Sequence, residues 1–291
     1  MSILKAVILG IVQGIAEFLP VSSSGHLAIV SQVLHVQTDT GLLFEVMLHF
    51  GTLVAIFAAM YKDVWKLIVN GVGIVVDACY NLGMFVINLF THAGRRYRRI
   101  LFTSYRKLVM LIIVSTIPTG IIGVLMSDVV DAASETLIIP GICLVITGCL
   151  LMIADNCHVG VKRAAETGYL DSVVIGTAQG IATLPGLSRS GTTITVAMLC
   201  GLDKTFAVKY SFLMSIPAVL GAVVLELKDL PAAASSKGDL PAYCVGMVVA
   251  GIVGYISIKL MLGVVRKHKF TGFAIYCLAI GAFAVVWALT R

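Results

Sequence analysis

Six stretches of this chain, near residues 42–60, 108–126, 137–155, 206–225, 241–265 and 272–290, approach or exceed the roughly 20 apolar residues that carry an α-helix across about 30 Å of hydrocarbon. No domain of this length has an interior large enough to hide them all. Lipid is therefore their solvent, and a helix is the one open-ended segment that satisfies its own backbone there. Composition agrees: 59% of the residues are hydrophobic, 12% are charged, and the mean hydropathy is +1.01. The expectation is an all-α integral membrane protein. No basic n-region, short apolar h-region and small-residue cleavage site opens the chain, so no cleaved signal peptide is expected.

The formal charge of +6 is less informative than its distribution. Basic residues gather at Lys62 and Lys66, in RRYRR (Arg95 to Arg99) with Arg106 and Lys107, at Lys162 and Arg163, at Lys204 and Lys209, and in RKHK (Arg266 to Lys269). The loops Ser127 to Glu135 and Glu226 to Pro241 are acidic. The positive-inside rule places the first set in the cytoplasm and both acidic loops and both termini outside. Residues 67–90 interrupt this scheme, because Asn70, Asp77, Asn81 and Asn88 punctuate them and basic residues flank both ends. A helix or pair of helices along the cytoplasmic interface is expected there, with RRYRR as a topology signal and anchor to anionic lipid. No nucleic-acid partner is expected. The seven cysteines lack any C-x-x-C spacing and mostly sit in apolar runs, which reads as small buried hydrophobes rather than a disulfide framework or zinc site.

GIVQGIAEFLPVSSSG (Gly10 to Gly25) aligns without gaps on GTAQGIATLPGLSRSG (Gly176 to Gly191), with eight identities in sixteen positions. Each copy joins two apolar segments too short to span through a Pro, Gly and Ser break: 3–18 and 21–35, then 172–184 and 190–201. Two re-entrant helical hairpins follow from that pattern. With three spans after each hairpin, the copies start on opposite sides of the membrane, which makes an inverted-topology repeat. The expected organisation is one membrane domain over 1–291, with repeat one at 1–155 (interfacial insertion 67–107) and repeat two at 171–291. The broken tips then meet inside the bilayer and their polar residues line one site.

That site suits an anion. Ser22 and Ser188 are placed to cap new helices, whose N-termini favour phosphate, and Arg189 adds a planar fork for phosphate oxygens. An arginine there is costly unless it is used or paired with Glu17. Gln13 and Glu17, four apart on one helix face, can hold a hard divalent cation such as Mg²⁺ or Ca²⁺, or orient water. His26 can move a proton or attack phosphorus, and Ser23 or Ser24 can donate to phosphate or act as nucleophile. Glu45 and His49 share a face of the first span, either as an internal pair or in support of the site.

QGIAEFLPVSSSGHL, FEVMLHFGTL (Phe44 to Leu53), and QGIATLPGLSRSGTT followed by KYSFLMSIPA (Lys209 to Ala218) resemble the bacterial undecaprenyl-diphosphatases, the bacitracin-resistance family. The resemblance covers both repeats and least of all residues 67–107. It implies hydrolysis of undecaprenyl diphosphate to undecaprenyl phosphate and inorganic phosphate, recycling the lipid carrier for peptidoglycan synthesis. It further implies a divalent-metal-assisted site on the outer side of the bacterial cytoplasmic membrane, a polyprenyl diphosphate lipid substrate and often a homodimer. Gln13 and Glu17 match the family's E/Q-x-x-x-E motif, with glutamine in place of the first acid. Ser22, Ser23 and His26 match its serine-rich motif. Pro185, Gly186, Ser188, Arg189, Ser190 and Thr193 match its P-G-x-S-R-S-G-x-T motif, and Glu45 the acid of its F-E-V segment. Together these give Glu17, Ser23, His26 and Arg189 as catalytic candidates and Ser22, Ser24, Ser188, Arg189, Ser190 and Thr193 as phosphate-binding ones. Ser23, His26 and water all remain open as the attacking group. A polyprenyl-phosphate transporter or flippase is the rival reading, because broken helices in inverted repeats are common among secondary transporters.

Overall fold

The computed structural model describes residues 1–36, 41–91, 94–158, 160–226, 239–265 and 269–290. Twelve α-helices run through them: α1 (Ile3–Ala16), α2 (Ser23–Val33), α3 (Gly41–Ala59), α4 (Tyr61–Thr91), α5 (Ser104–Leu125), α6 (Ser127–Ser134), α7 (Ile138–Asn156), α8 (Tyr169–Ile181), α9 (Arg189–Leu199), α10 (Lys204–Glu226), α11 (Leu240–Val264) and α12 (Thr271–Thr290). The described residues contain no strand, only an isolated bridge between Lys162 and Leu202. Among the described residues, six helices are long and apolar enough to cross a membrane: α4, α5, α7, α10 over Lys204–Val224, α11 and α12. All-helical architecture with several candidate spans is thus as the hydropathy dictates.

The expected first span near 42–60 is the helix α3, 19 residues over Gly41–Ala59. Of the two forms expected at 67–90, a helix or a pair of helices, the structure has the single helix. The segment is the middle of α4, 31 residues without a break, because the asparagines and Asp77 that seemed to interrupt it are spaced to fall on one stripe of a single helix.

The two short helical pairs, α1 with α2 and α8 with α9, each pack against the opposite half of the chain. α1 lies along α11 and α8 along α5. The repeated glycines set how close: a Cβ on Gly10 would lie 2.6 Å from the Gly246 carbonyl oxygen, and one on Gly176 only 2.1 Å from that of Ser115. Without a hydrophobic force between helices in lipid, such small-residue contacts let backbones approach and pack. Met1 adds a further tie to the second half, its ammonium 2.5 Å from Asp239 Oδ1. Buried Tyr210 of α10 places its hydroxyl 2.9 Å from the Leu111 carbonyl oxygen and 3.1 Å from Ser172 Oγ, joining α5, α8 and α10. All seven cysteines are free, and of these only Cys143 and Cys277 are buried. Cys79, Cys149 and Cys244 instead sit exposed on apolar helices.

Candidate functional site

Both breaks are made from local chemistry. α1 stops at Ala16, ahead of Pro20, whose ring cannot continue the hydrogen-bond ladder. α2 then starts from Ser22, whose Oγ accepts from Gly25 N at 3.3 Å. Ser22 holds φ 71°, a conformation that costs a side chain with a Cβ and that neighbouring contacts must hold in place. In the second copy the chain turns at Gly186 (φ 88°), where a Cβ would meet the Pro140 carbonyl oxygen at 2.1 Å, and α9 starts from Ser188, whose Oγ accepts from Gly191 N at 3.0 Å. The expected caps are therefore both present. The two breaks touch: Gly186 N donates to Ser24 Oγ at 3.2 Å, and Ser190 Oγ donates to the Leu19 carbonyl at 3.2 Å.

Across this contact Glu17 meets Arg189. The guanidinium Nη2 donates to Glu17 Oε1, while Oε2 accepts from Ser23 Oγ at 2.7 Å and from Gln13 Nε2 at 3.1 Å. The Gln13 amide nitrogen also lies 3.1 Å from His49 Nδ1, which must act as acceptor because an amide N–H can only donate. Glu17 is buried, so a charged carboxylate at this place depends on these partners. Glu17, Ser23 and Arg189 face a cavity of about 290 Å³, whose polar lining also includes Ser22, Ser24, His49, Thr119, Gln179, Ser188 and Ser190. Apolar wall comes from Val130 of α6 and from Val219, Ala222 and Val223 of α10.

Comparison with known families matches residues 6–283 to the model of the bacitracin resistance protein BacA. The chain belongs to the BacA family. Among its relatives, the undecaprenyl-diphosphatase of Alkaliphilus metalliredigens is 37% identical over 99% of this chain and 100% of the relative. Those of Methanosphaera stadtmanae and Syntrophotalea carbinolica are 37% and 36% identical, each over at least 97% of both chains.

The BacA motifs do not all converge on the cavity. Glu17, Ser22, Ser23, Ser24, Ser188, Arg189 and Ser190 line it, and Gln13 stands directly behind Glu17. His26 is turned away: Nδ1 is 2.8 Å from the Ser22 carbonyl oxygen and Nε2 is 2.8 Å from Tyr276 Oη. These two partners draw the ring into a separate groove of about 460 Å³, lined with apolar side chains of α1 and α12 and by Lys269. Thr193 is also off the wall. It is fully buried, donates to the Arg189 carbonyl at 2.8 Å and lies 2.6 Å from Ser211 Oγ, so it braces the first turn of α9. Glu45 is exposed outside the cavity, whereas His49, one turn further along α3, lines it.

Gln179 and Thr119 were not among the candidates. Gln179 is the repeat mate of Gln13 and donates to Thr119 Oγ1 at 3.3 Å, so the internal alignment already carried the signal. For the expected cation, no three His, Cys, Asp or Glu side chains cluster among the described residues. The donors present are hard oxygens: the Glu17 carboxylate, and Gln13 Oε1, which is buried with no hydrogen-bond partner. One carboxylate, one amide oxygen and the oxygens of a bound phosphate suit Mg²⁺ or Ca²⁺, so the residues fit the ion.

Proposed function

We propose that this chain hydrolyses undecaprenyl diphosphate to undecaprenyl phosphate and inorganic phosphate, with Glu17, Ser23 and Arg189 at the centre. The function rests on membership of the BacA family and on full-length relatives named undecaprenyl-diphosphatase. The observation that carries the chemistry is a serine hydroxyl 2.7 Å from a buried carboxylate whose other oxygen is held by an arginine. A transporter needs a phosphate cradle but not a hydroxyl held against a base, so hydrolysis is the better reading.

The arrangement works as follows. Phosphate oxygens outcompete Glu17 for the Arg189 fork, which pairs bidentately with them. Ser22, Ser24, Ser188 and Ser190 and the N-termini of α2 and α9 surround the charge. Released from the guanidinium, Glu17 accepts the Ser23 proton as Ser23 Oγ bonds to the terminal phosphorus. The anhydride P–O bond breaks and undecaprenyl phosphate leaves. Glu17 passes the Ser23 proton to the departing undecaprenyl phosphate and is a carboxylate again; it then takes a proton from the water that attacks the phosphoserine and hands it to Ser23 Oγ as the Oγ–P bond breaks and phosphate is released. Mg²⁺ or Ca²⁺ on Glu17 and Gln13 would supply charge neutralisation at the phosphates when bound. His26 and Thr193 serve as positioning residues: His26 holds the Ser22 carbonyl, and Thr193 holds that of Arg189. His49 orients Gln13.

The same proposal includes the membrane arrangement. At 1.5 Å per residue, the 14 residues of α1 and 13 of α8 reach about 20 Å, short of a bilayer, and the touching breaks suit two re-entrant hairpins. The crossed packing of α1 on α11 and α8 on α5 suits an inverted repeat of 1–155 and 171–291 within one domain. Val130 belongs to the acidic segment 127–135, and Val223 lies near the end of α10, just before the other acidic loop. The cavity therefore opens to the outer side of the cytoplasmic membrane. A homodimer, as the resemblance implies, is read from the mass of the solubilised protein. The decisive assay is phosphate release by purified protein in detergent, where no vesicle exists to transport across. Ser23→Ala should abolish it, and single-turnover quenching should trap phosphoserine at Ser23. Hydrolysis that survives Ser23→Ala would give the attack to water instead.

A further inference from the structure

Four polar residues of α4, Asn70, Asp77, Asn81 and Asn88, are spaced by seven, four and seven, which sets them on one narrow stripe. Residues 94–103 return along that stripe in non-helical form. Asn88 grips Arg95 through both backbone groups, Nδ2 to the carbonyl at 2.9 Å and the amide N–H to Oδ1 at 2.8 Å. Asn81 grips Arg98 identically, at 2.8 and 2.7 Å. Asp77 accepts from Arg98 Nη1 at 3.2 Å and Arg106 Nη1 at 2.7 Å, and Thr103 Oγ1 donates to Asn70 Oδ1 at 3.1 Å. Gly73 leaves room for this, since a Cβ there would lie 2.7 Å from Arg106 Nη2. The opposite face of α4 carries Trp65, Ile68, Val72, Val75, Val86 and Phe90, all exposed. Only 6% of the helix's apolar window is buried.

Length and hydropathy alone would let α4 span. Its strap forbids it. Asn70 and Asn88 are 18 residues, or about 27 Å, apart along the helix, so a spanning α4 would carry the strap through most of the hydrocarbon. Arg95, Arg96, Arg98 and Arg99, all exposed, would enter lipid with it. So would backbone groups outside any helix, which lipid does not tolerate. Turned flat, the same unit has an apolar underside and a roof of arginines.

We propose that α4 (Tyr61–Thr91) and its strap, residues 94–103, form an arm that lies in the membrane interface and binds anionic phospholipid headgroups. The apolar face enters the acyl boundary and Arg95, Arg96 and Arg99 meet lipid phosphates, while Arg98 is retained by Asp77 and stacks 4.0 Å over the Tyr80 ring. The arm joins the body at its root, where Asp63 accepts from Lys209 at 2.6 Å and from Tyr105 Oη at 2.7 Å.

The test uses full-length protein, in a background without native cysteines, in vesicles containing phosphatidylglycerol. Nitroxides at Val72→Cys and Phe90→Cys should report equal, shallow depths, within about one helical turn. Depths that differ by most of the bilayer thickness would mean a span and overturn the proposal. Spectra broadened by a neighbouring label, and sharpened on dilution with unlabelled protein, would mean that a second copy covers the face, which also overturns it. Replacing Arg95, Arg96 and Arg99 by Gln leaves the Asn clasps and Asp77 pairs intact. With a fluorophore at Tyr97→Cys, preference for quenching by brominated phosphatidylglycerol over phosphatidylcholine should fall roughly fivefold per arginine removed. An unchanged preference would refute headgroup binding.

Discussion

The two breaks share a backbone and divide the chemistry. Ser22 and Ser188 cap alike, and Gln13 and Gln179 are both buried with one amide oxygen unpartnered. At the positions that differ, the first copy has Glu17 where the second has Thr183, and the second has Arg189 where the first has Ser23. An acid stands in one half and a base in the other, and they meet only because the halves touch. Duplication supplies the scaffold and the N-termini. Divergence at two non-equivalent positions supplies an ion pair that neither half holds alone.

Making the second break like the first should have the largest effect. Arg189→Ser removes the phosphate fork and leaves Glu17 buried without its counter-charge, so kcat/KM for phosphate release should fall on the order of a thousandfold, about 4 kcal/mol. Glu17→Gln keeps the shape of the first break without its charge. It should cost on the order of a hundredfold in turnover, as loss of a general base does, and remove the response to chelation and added Mg²⁺. A charge without a fork is the finer test: Arg189→Lys should lose at least about tenfold, or 1.4 kcal/mol in the barrier. Near-normal turnover in that variant would remove bidentate recognition from the comparison. His26 has no counterpart in the second copy, where Thr192 occupies its place. His26→Ala should loosen the Ser22 turn and lower kcat by about tenfold, comparable to one lost hydrogen bond to a backbone group, and His26→Asn should restore part of it. No rescue by Asn would return His26 to proton transfer. The smallest effect separates the two crossings. Gly176→Ala should destabilise by about 1–3 kcal/mol as an overpacked contact does, and more than Gly10→Ala, read as detergent melting temperatures.

Much of this site was legible because polar residues are conspicuous in an apolar chain. Glu17, Arg189 and the serine caps stood out by context, and the repeat announced that two breaks belong together. What spacing could not give was the direction of side chains across helices. The turn of His26 towards Tyr276 depends on a hydroxyl 250 positions away, and His49 reaches Gln13 only through the packing of α1 beside α3. Thr193 carries a motif residue's identity but spends its hydroxyl on Arg189 and Ser211. For α4 the stripe of asparagines was written in the chain, yet it read as interruption, because the segment that satisfies it comes after the helix and has no periodicity of its own.

The packing of α1 against α11 also has a consequence for biogenesis. α1 leaves the ribosome more than two hundred residues ahead of its partner, Leu240–Val264. At roughly 5–20 residues per second, that wait is on the order of ten to fifty seconds. During it α1 exposes Gln13 and Glu17 to the translocon or the bilayer, with neither Arg189 nor α11 yet made. The nascent first half is therefore a natural client for an insertase or a quality-control protease, and its vulnerability ends only when the last third of the chain arrives.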